Sequence, residues 1–381
     1  MLGVYVHFPF CLARCPYCDF ASQVAEVIPH RLYADAVIAE LDLRLAQGWP
    51  EVPVTSIYFG GGTPSLWEPA ELGRVIRAVR ERRRILDDAE ITLEANPGAS
   101  ESERLAAFRE QGVNRVSFGT QSFQPRVLEA LGRWHSAEES ASAVARARGA
   151  GIENVSIDLI YAAAGATPEE TVEDVRRAAA AGPDHISAYA LTLEAKVPMA
   201  RAVAAGEVVL PREELAIAIE DALLGALAEA GYWRYEISNH ALPGREAVHN
   251  TLYWTGHPYL GLGVSASGFR RLPDGSGERT TNARTADRYL EHLEAGRLPE
   301  ASRERLERGT LLGERFFCGL RLHQGVDLDE LSSWSGLDAQ ALHGRTLEKL
   351  ELRGLVEREG RRIRPTARGL RFHDDISLAF V

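Results

Sequence analysis

Tyr5-Val6-His7-Phe8-Pro9-Phe10-Cys11-Leu12-Ala13-Arg14-Cys15-Pro16-Tyr17-Cys18-Asp19-Phe20 runs an apolar strand straight into three closely spaced thiols. Three thiols so near one another cannot all pair as disulfides, but they can converge on one soft metal centre. Fe–S clusters usually take four thiolates, and no fourth cysteine follows nearby. A cubane held by three cysteines would keep one iron open to a ligand that is not protein. Structural zinc is the competing reading, with His7 or Asp19 as fourth ligand, although zinc favours closed sets built on paired C-x2-C spacing.

Outward from this loop the first half of the chain alternates. Strand-like runs fall at Gly3–Phe8, Thr55–Phe59, Glu90–Glu94, Arg115–Gly119, Asn154–Ile160 and His185–Leu191. Helical periodicity lies between them, over Arg31–Gln47, Glu68–Arg84, Ser100–Gln111, Ala137–Gly149 and Pro168–Ala181. Such alternation means parallel strands joined by crossover helices. Six units are too few for a closed eight-stranded barrel, so the expected fold is α/β, a partial (βα)6 TIM-like barrel over residues 1–195. Chemistry in such a barrel collects at the C-terminal strand ends. There stand the three cysteines, Gly60-Gly61-Gly62-Thr63-Pro64, Glu94-Ala95-Asn96, Gln121, Asp158 and Ala190.

From residue 196 the alternation stops. Residues 196–335 form an accessory region: a helix over Glu213–Ala230, an aromatic and His-rich stretch, a turn at Pro273–Gly277, and helices over Thr285–Ala295 and Glu304–Cys318. Residues 336–381 read as helix, hairpin and helix, a winged-helix-like order. Arg345, Lys349, Arg353, Arg358, Arg361, Arg362, Arg364, Arg368 and Arg371 give that segment a basic wing, whose alternatives are DNA binding or a solvated or partner-facing surface. A net charge of -11 argues against broad nucleic-acid binding, and no nucleic-acid partner is expected. Hydrophobic residues at 45% and charged residues at 25% are ordinary for a soluble globular chain. No apolar run is long enough to span a membrane, and no export signal precedes the first strand. With Cys11, Cys15, Cys18 and Cys318 as the only cysteines, the expected location is the cytoplasm. Cys318, beside Phe316-Phe317, reads as core packing.

Cx3Cx2C after the first strand and GGGTP after the second resemble the signature of radical S-adenosylmethionine (SAM) enzymes. HxPFCx3CxYCxF, GGGTPS, LEANPG, RVSFGTQSF, a GRxHSAEE stretch and NVSIDLIY are similar to its coproporphyrinogen dehydrogenase-like branch, over nearly the whole chain. The resemblance implies a radical SAM barrel with a C-terminal α+β domain, and a [4Fe–4S] cluster on Cys11, Cys15 and Cys18. The open iron would chelate SAM, which the cluster cleaves to a 5′-deoxyadenosyl radical. By the same resemblance Tyr5, Gly61, Glu94 and Ser267 would sit by the cluster-bound SAM. Tyr17, Gly62, Thr63, Gln121, Arg133, Asp158 and Ala190 would match positions that hold a second SAM in the dehydrogenase. No residue is assigned a catalytic role.

The branch holds an oxidative decarboxylase of coproporphyrinogen III and a heme chaperone. Phe20 stands where the decarboxylase pattern has Cys, and only four residues precede Tyr5, where that enzyme carries an extension. His249-Asn250-Thr251-Leu252-Tyr253-Trp254 matches the HNxxYW motif associated with heme in the chaperones. The expectation is therefore a chaperone that binds heme and hands it to acceptor hemoproteins, membrane ones among them, with an electron donor for the cluster. Decarboxylation is the alternative. Neutral imidazole is a good iron ligand; a hydrogen-bonded core histidine is the other reading of His249, and His240 and His257 are weaker ligand candidates. The chain departs from the family pattern at Tyr161-Ala-Ala-Ala-Gly165, at Glu194-Ala195-Lys196, and at Gly263-Val-Ser-Ala, which lacks a histidine.

Overall fold

In a computed structural model describing residues 1–380, six parallel strands follow one another in chain order: β1 (Leu2–Phe8), β2 (Val54–Gly61), β3 (Ile85–Ala95), β4 (Arg115–Gln121), β5 (Asn154–Tyr161) and β6 (His185–Ala190). Beyond β6 the sheet continues antiparallel through β7 (Asn239–Ala241). On the other side β1 pairs in parallel with β8 (Tyr259–Gly263), followed by antiparallel β9 (Ser267–Arg271), β10 (Gly277–Asn282) and β11 (Glu300–Leu306). The expected six-unit barrel is present, widened by a meander that the accessory region contributes.

Each barrel strand alternates. Val4, Val6, Phe8, Ile57, Phe59, Ile91, Leu93, Val116, Phe118, Val155 and Ile157 join the main core under the crossover helices. The opposite faces carry Tyr5 and His7, Ser56 and Tyr58, Glu90 and Glu94, Ser117 and Gln121, Asp158 and Ser187. Closed TIM barrels fill this position with packed Val, Ile and Leu. A polar lumen cannot pack that way, and it makes the barrel a chamber.

Two expectations need correcting. Ser100–Gln111 is not one helix but two, Ala99–Ser102 and Leu105–Glu110. Tertiary bonds impose the break: Glu101 turns to the Asn96 amide at 3.0 Å, and Arg104 donates to Ser65 and Trp67 carbonyls at 3.0 and 2.8 Å. The helix expected from Glu304 begins at Arg308, because Glu300–Leu306 is an edge strand tied to β10 by ladder bonds and the Arg303–Glu278 ion pair at 2.8 Å. Toward the C-terminus, a second core joins Leu312, Phe316 and Leu328 to Leu347, Leu355, Ile363 and Phe380. The segment from 336 is therefore packed as one unit with the two helices before it. Its hairpin, Val356–Glu359 and Arg362–Pro365, gains a third strand at Val326–Asp327.

The meander is fastened to the barrel by a buried polar cluster on the helix His30–Leu45. Arg44 donates to Glu40 at 3.1 Å, Asn282 at 2.6 Å, Thr280 at 3.2 Å and Glu300 at 2.5 Å. Glu40 accepts from the Gly263 amide and the Tyr289 hydroxyl, both at 2.8 Å. Both side chains are sealed from solvent, so each depends on the other for its charge to be tolerated. Arg44→Ala would leave Glu40 an unpaired buried carboxylate and is expected to cost about 3–5 kcal/mol. Urea unfolding of the two proteins checks it.

Candidate functional site

The cysteine loop leaves β1 through the short strand Phe10–Cys11, which pairs with Gln23–Val24, and turns where the Cys18 amide meets the Cys15 carbonyl at 3.2 Å. All three thiols are free and line one chamber of about 520 Å³ inside the barrel mouth. Thr63 Oγ1 donates to Cys11 Sγ at 3.6 Å, and Arg133 donates to Cys15 Sγ at 3.4 Å. Burial raises the Cys11 and Cys18 thiols above their ordinary range, and the neighbouring sulfurs push the same way. Among the described residues no three His, Cys, Asp or Glu side chains converge as a ready metal site. Thiols that repel as anions do not close on one point unless a cation draws them together. His7 is no fourth ligand: its ring nitrogens bond Tyr5 at 3.1 Å and the Ala21 carbonyl at 3.0 Å, and it borders a different cavity.

That second cavity, about 610 Å³, lies between the barrel, the meander and the helix Arg308–Gly319. The two groups of SAM positions inferred from sequence divide between the cavities. Tyr5, Gly61, Glu94 and Ser267 border the second. Tyr17, Gly62, Thr63, Gln121, Arg133, Asp158 and Ala190 border the cysteine chamber. Gly61, Asp19, Phe20 and Glu94 border both and form the wall between them. Glu94 accepts from Tyr58 at 2.8 Å and from the Gly61 amide at 3.0 Å, and desolvation pushes its carboxyl up to about 7.

Local chemistry sets these positions. Gly61 has φ +116°, and a Cβ there would strike the His7 ring at 2.7 Å. At Gly62 a Cβ would meet the Phe10 carbonyl at 2.7 Å and Cys11 Sγ at 3.0 Å. Gln121 holds a left-handed backbone without being glycine (φ 68°), as does Ser265 (φ 56°) on the second cavity; such strain gathers at binding sites. Asp158 is held by Ser117 Oγ at 3.0 Å, and Ser267 Oγ lies 3.0 Å from Thr281 Oγ1.

The HNxxYW stretch is the helix Val248–Trp254, set under the barrel. Its first amides, Val248 and His249, donate to the two oxygens of Glu90 at 3.0 and 3.1 Å. His249 is 1% exposed. Its Nδ1 is 2.8 Å from Ser56 Oγ and its Nε2 is 2.7 Å from Tyr253 OH. With both nitrogens hydrogen-bonded and the ring covered, His249 sits here in the core. Asn250 faces the cysteine chamber, whereas Tyr253 and Trp254 face the second cavity, so the four motif residues do not share one pocket. His240 is also buried, on β7. His257 borders the second cavity, and so does Cys318, expected as core.

The Radical SAM superfamily profile matches residues 5–178, and the HemN C-terminal domain profile matches 306–372. Heme chaperone HemW of Mycobacterium tuberculosis is 37% identical over 372 residues, covering 96% of this chain and 91% of the relative. The chain belongs to the HemW family of radical SAM proteins. HemW of Escherichia coli is 35% identical, over 88% of this chain and 86% of its own. The solved structure of coproporphyrinogen III oxidase (HemN) from Escherichia coli superposes with a TM-score of 0.84 at 25% identity, covering 100% of this chain and 89% of that one. The HemN-type C-terminal match begins at 306, close to Leu312, where the second hydrophobic core starts.

Glu90, Tyr58, Ser117 and Arg115 were not singled out from sequence. The signal that marks them is the two-residue alternation of β2 to β4, which sets Ser56, Tyr58, Glu90, Glu94, Arg115 and Ser117 on the inward face. The basic wing is largely spent on ion pairs: Arg353–Asp375 at 2.9 Å, Arg358–Glu351 at 2.6 Å, Arg361–Asp329 at 2.8 Å and Arg371–Glu220 at 2.8 Å. No helix among the described residues is long and apolar enough to cross a membrane.

Gly62→Ala, by displacing Cys11, is expected to lower the iron retained after anaerobic reconstitution, read by iron analysis against wild type. Burial also holds His249 down to about 3. An unfolded histidine gains its proton near 6.5 and the folded one only near 3, so this contribution to stability is intact above about 6.5 and shrinks as pH falls. Urea unfolding between pH 7.5 and 5 should show wild type losing stability more steeply than His249→Gln, by up to about 1.4 kcal/mol per pH unit.

Proposed function

We propose that the chain is a cytoplasmic heme chaperone: it takes up heme and passes it to acceptor hemoproteins, and the second cavity is where heme is held. The near-full-length match to curated HemW proteins carries this reading. Membership of the superfamily brings a [4Fe–4S] cluster and SAM. Cys11, Cys15 and Cys18 would hold the cluster, and their shared wall, freedom from disulfides and separation from His7 suit a three-thiolate set. Gly61, Glu94 and the Gly62–Thr63 turn would hold SAM, since a glycine backbone lets its amino acid end approach closely and Glu94 offers an acceptor. When bound, the cluster supplies the electron for radical chemistry. The residues around it fix the sulfurs: Thr63 and Arg133 donate to them, and Arg133 is itself anchored by the Gly119 carbonyl at 2.9 Å.

Oxidative decarboxylation of coproporphyrinogen III is the second reading, favoured by the likeness to HemN. Phe20 counts against it. The phenyl ring, 59% exposed, stands on the wall between the cavities, where that enzyme pattern has a cysteine.

Reconstituted protein is expected to carry about four irons per chain, to bind heme one to one, and to lose heme to an apo-hemoprotein. Anaerobic incubation with coproporphyrinogen III, SAM and a reductant should yield no protoporphyrinogen. A Cys11/Cys15/Cys18→Ser variant should lose the cluster and keep heme binding. Protoporphyrinogen formation would establish the enzyme instead.

A further inference from the structure

The floor of the cysteine chamber carries a cation for which the fold provides no hydrogen-bond acceptor. Arg115 opens β4 on its inward face and borders the chamber, yet it is only 2% exposed. Its Nε is buried without a partner, and the rest of its guanidinium makes no hydrogen bond to a described residue. Glu90 is its ion-pair partner among the described residues, at 3.8 Å, beyond hydrogen-bond reach. Both Glu90 oxygens are already given to the amides of Val248 and His249. Burial opposes the charge of Arg115 and Glu90 more than offsets it, so the guanidinium stays protonated. Thr92, its cross-strand neighbour on β3, is buried with an orphaned hydroxyl of its own. Arg133, on the wall of the same chamber, is arranged quite differently. It donates to Asn96, to the Gly119 carbonyl at 2.9 Å and to Cys15 Sγ at 3.4 Å. A buried donor left unpaired costs about 1–3 kcal/mol, and more when charged, so Arg115 calls for an acceptor that enters the chamber.

Position and surroundings narrow what that acceptor is. The inward residues of β4 climb from Arg115 through Ser117 to Gln121, about 20 Å along the strand at roughly 3.3 Å per residue. The thiols stand at the mouth end, so Arg115 addresses a different part of the chamber. Asn250, from the helix Val248–Trp254, borders the same space, as do Tyr58, Ser117 and Ser187. Two carboxyls face it as well. Burial pushes Glu94 up to about 7, and it raises Asp158 despite bonds from Ser187 and Ser117. Beside these groups and Glu90, one added negative charge is tolerated better than two, which favours a carboxylate over a phosphate. A planar carboxylate also matches the guanidinium fork, whose parallel N–H···O bonds are the strong geometry for this cation.

We infer that Arg115 forms a carboxylate-binding floor in the cysteine chamber, and that the chamber takes a small organic acid, distinct from SAM, with its carboxylate on this guanidinium. The site is separate from the cavity assigned to heme and does not depend on that reading.

Saturation-transfer NMR and thermal unfolding of the full chain, reconstituted anaerobically with SAM present, test this. The probe is n-butyrate, and butyramide, its uncharged counterpart, is the control. Butyrate should saturate and raise the unfolding midpoint, and butyramide should do neither. Arg115→Lys keeps a positive charge beside Glu90 but lacks the fork. It should weaken butyrate binding by about tenfold or more, with SAM affinity and iron content at wild-type values. Arg115→Met should abolish butyrate saturation; where that protein does not fold, Arg115→Lys carries the test. Wild type without saturable butyrate binding, equal binding of butyramide, or unchanged butyrate affinity in Arg115→Lys overturns the assignment. A loss of SAM affinity in Arg115→Lys that matches the loss of butyrate affinity overturns it too, because the guanidinium then serves SAM's own carboxylate.

Discussion

A carboxylate buried at the barrel floor, Glu90, holds the two halves of the site in register. Both of its oxygens are given to the first amides of the helix Val248–Trp254, at 3.0 and 3.1 Å. Those amides are orphans of any helix start and carry the positive end of its dipole, so a buried anion is the partner that suits them. Arg115 Nε, 3.8 Å from the same carboxylate, balances its charge. Once the helix start is pinned there, 3.6-residue geometry does the rest. His249 packs into the floor, Asn250 points to one cavity, and Tyr253 and Trp254 point to the other. A segment from the accessory region thereby becomes part of the barrel.

The wall between the cavities is thin and made of backbone and short contacts. Gly61, with its left-handed backbone, sits over the His7 ring, and its amide reaches Glu94. Glu94 holds its proton near neutrality because water is displaced from it. This carboxyl stands between the thiol-lined chamber and a cavity edged with Arg279, Arg284 and Arg315. His7 belongs to the wall through Tyr5 and Ala21, which is why it is lost as a metal ligand.

Much of this was readable from residues. Six β-branched runs spaced by amphipathic helices imply parallel strands, and the polar or glycine-rich residues just past them, Gly60–Gly62, Glu94, Gln121 and Asp158, mark one mouth. The readings that missed did so where long-range bonds overrode local pattern. Glu101 and Arg104 spend their side chains on Asn96 and on the Ser65–Trp67 carbonyls, and the helix around them breaks. Glu300–Leu306 carries helix-forming residues but lies where β10 offers an unpaired ladder. The arginines of the C-terminal segment look like a cationic stripe in one dimension; folding places Asp329, Glu351, Asp375 and Glu220 against four of them.

Residue order was enough to specify the thiol loop, the glycines beside it and the barrel that carries both, since each rests on spacing within a strand and its following turn. It could not specify which of His249 and His257 borders a cavity. His249 and His257 differ little in composition of their surroundings along the chain. Folding brings Ser56 and Tyr253 to the nitrogens of the first and leaves the second, past the Gly256 turn, on a cavity wall with Arg315 and Trp334. That choice depends on contacts between β2, the floor helix and the C-terminal core, and no local pattern encodes distances between segments so far apart.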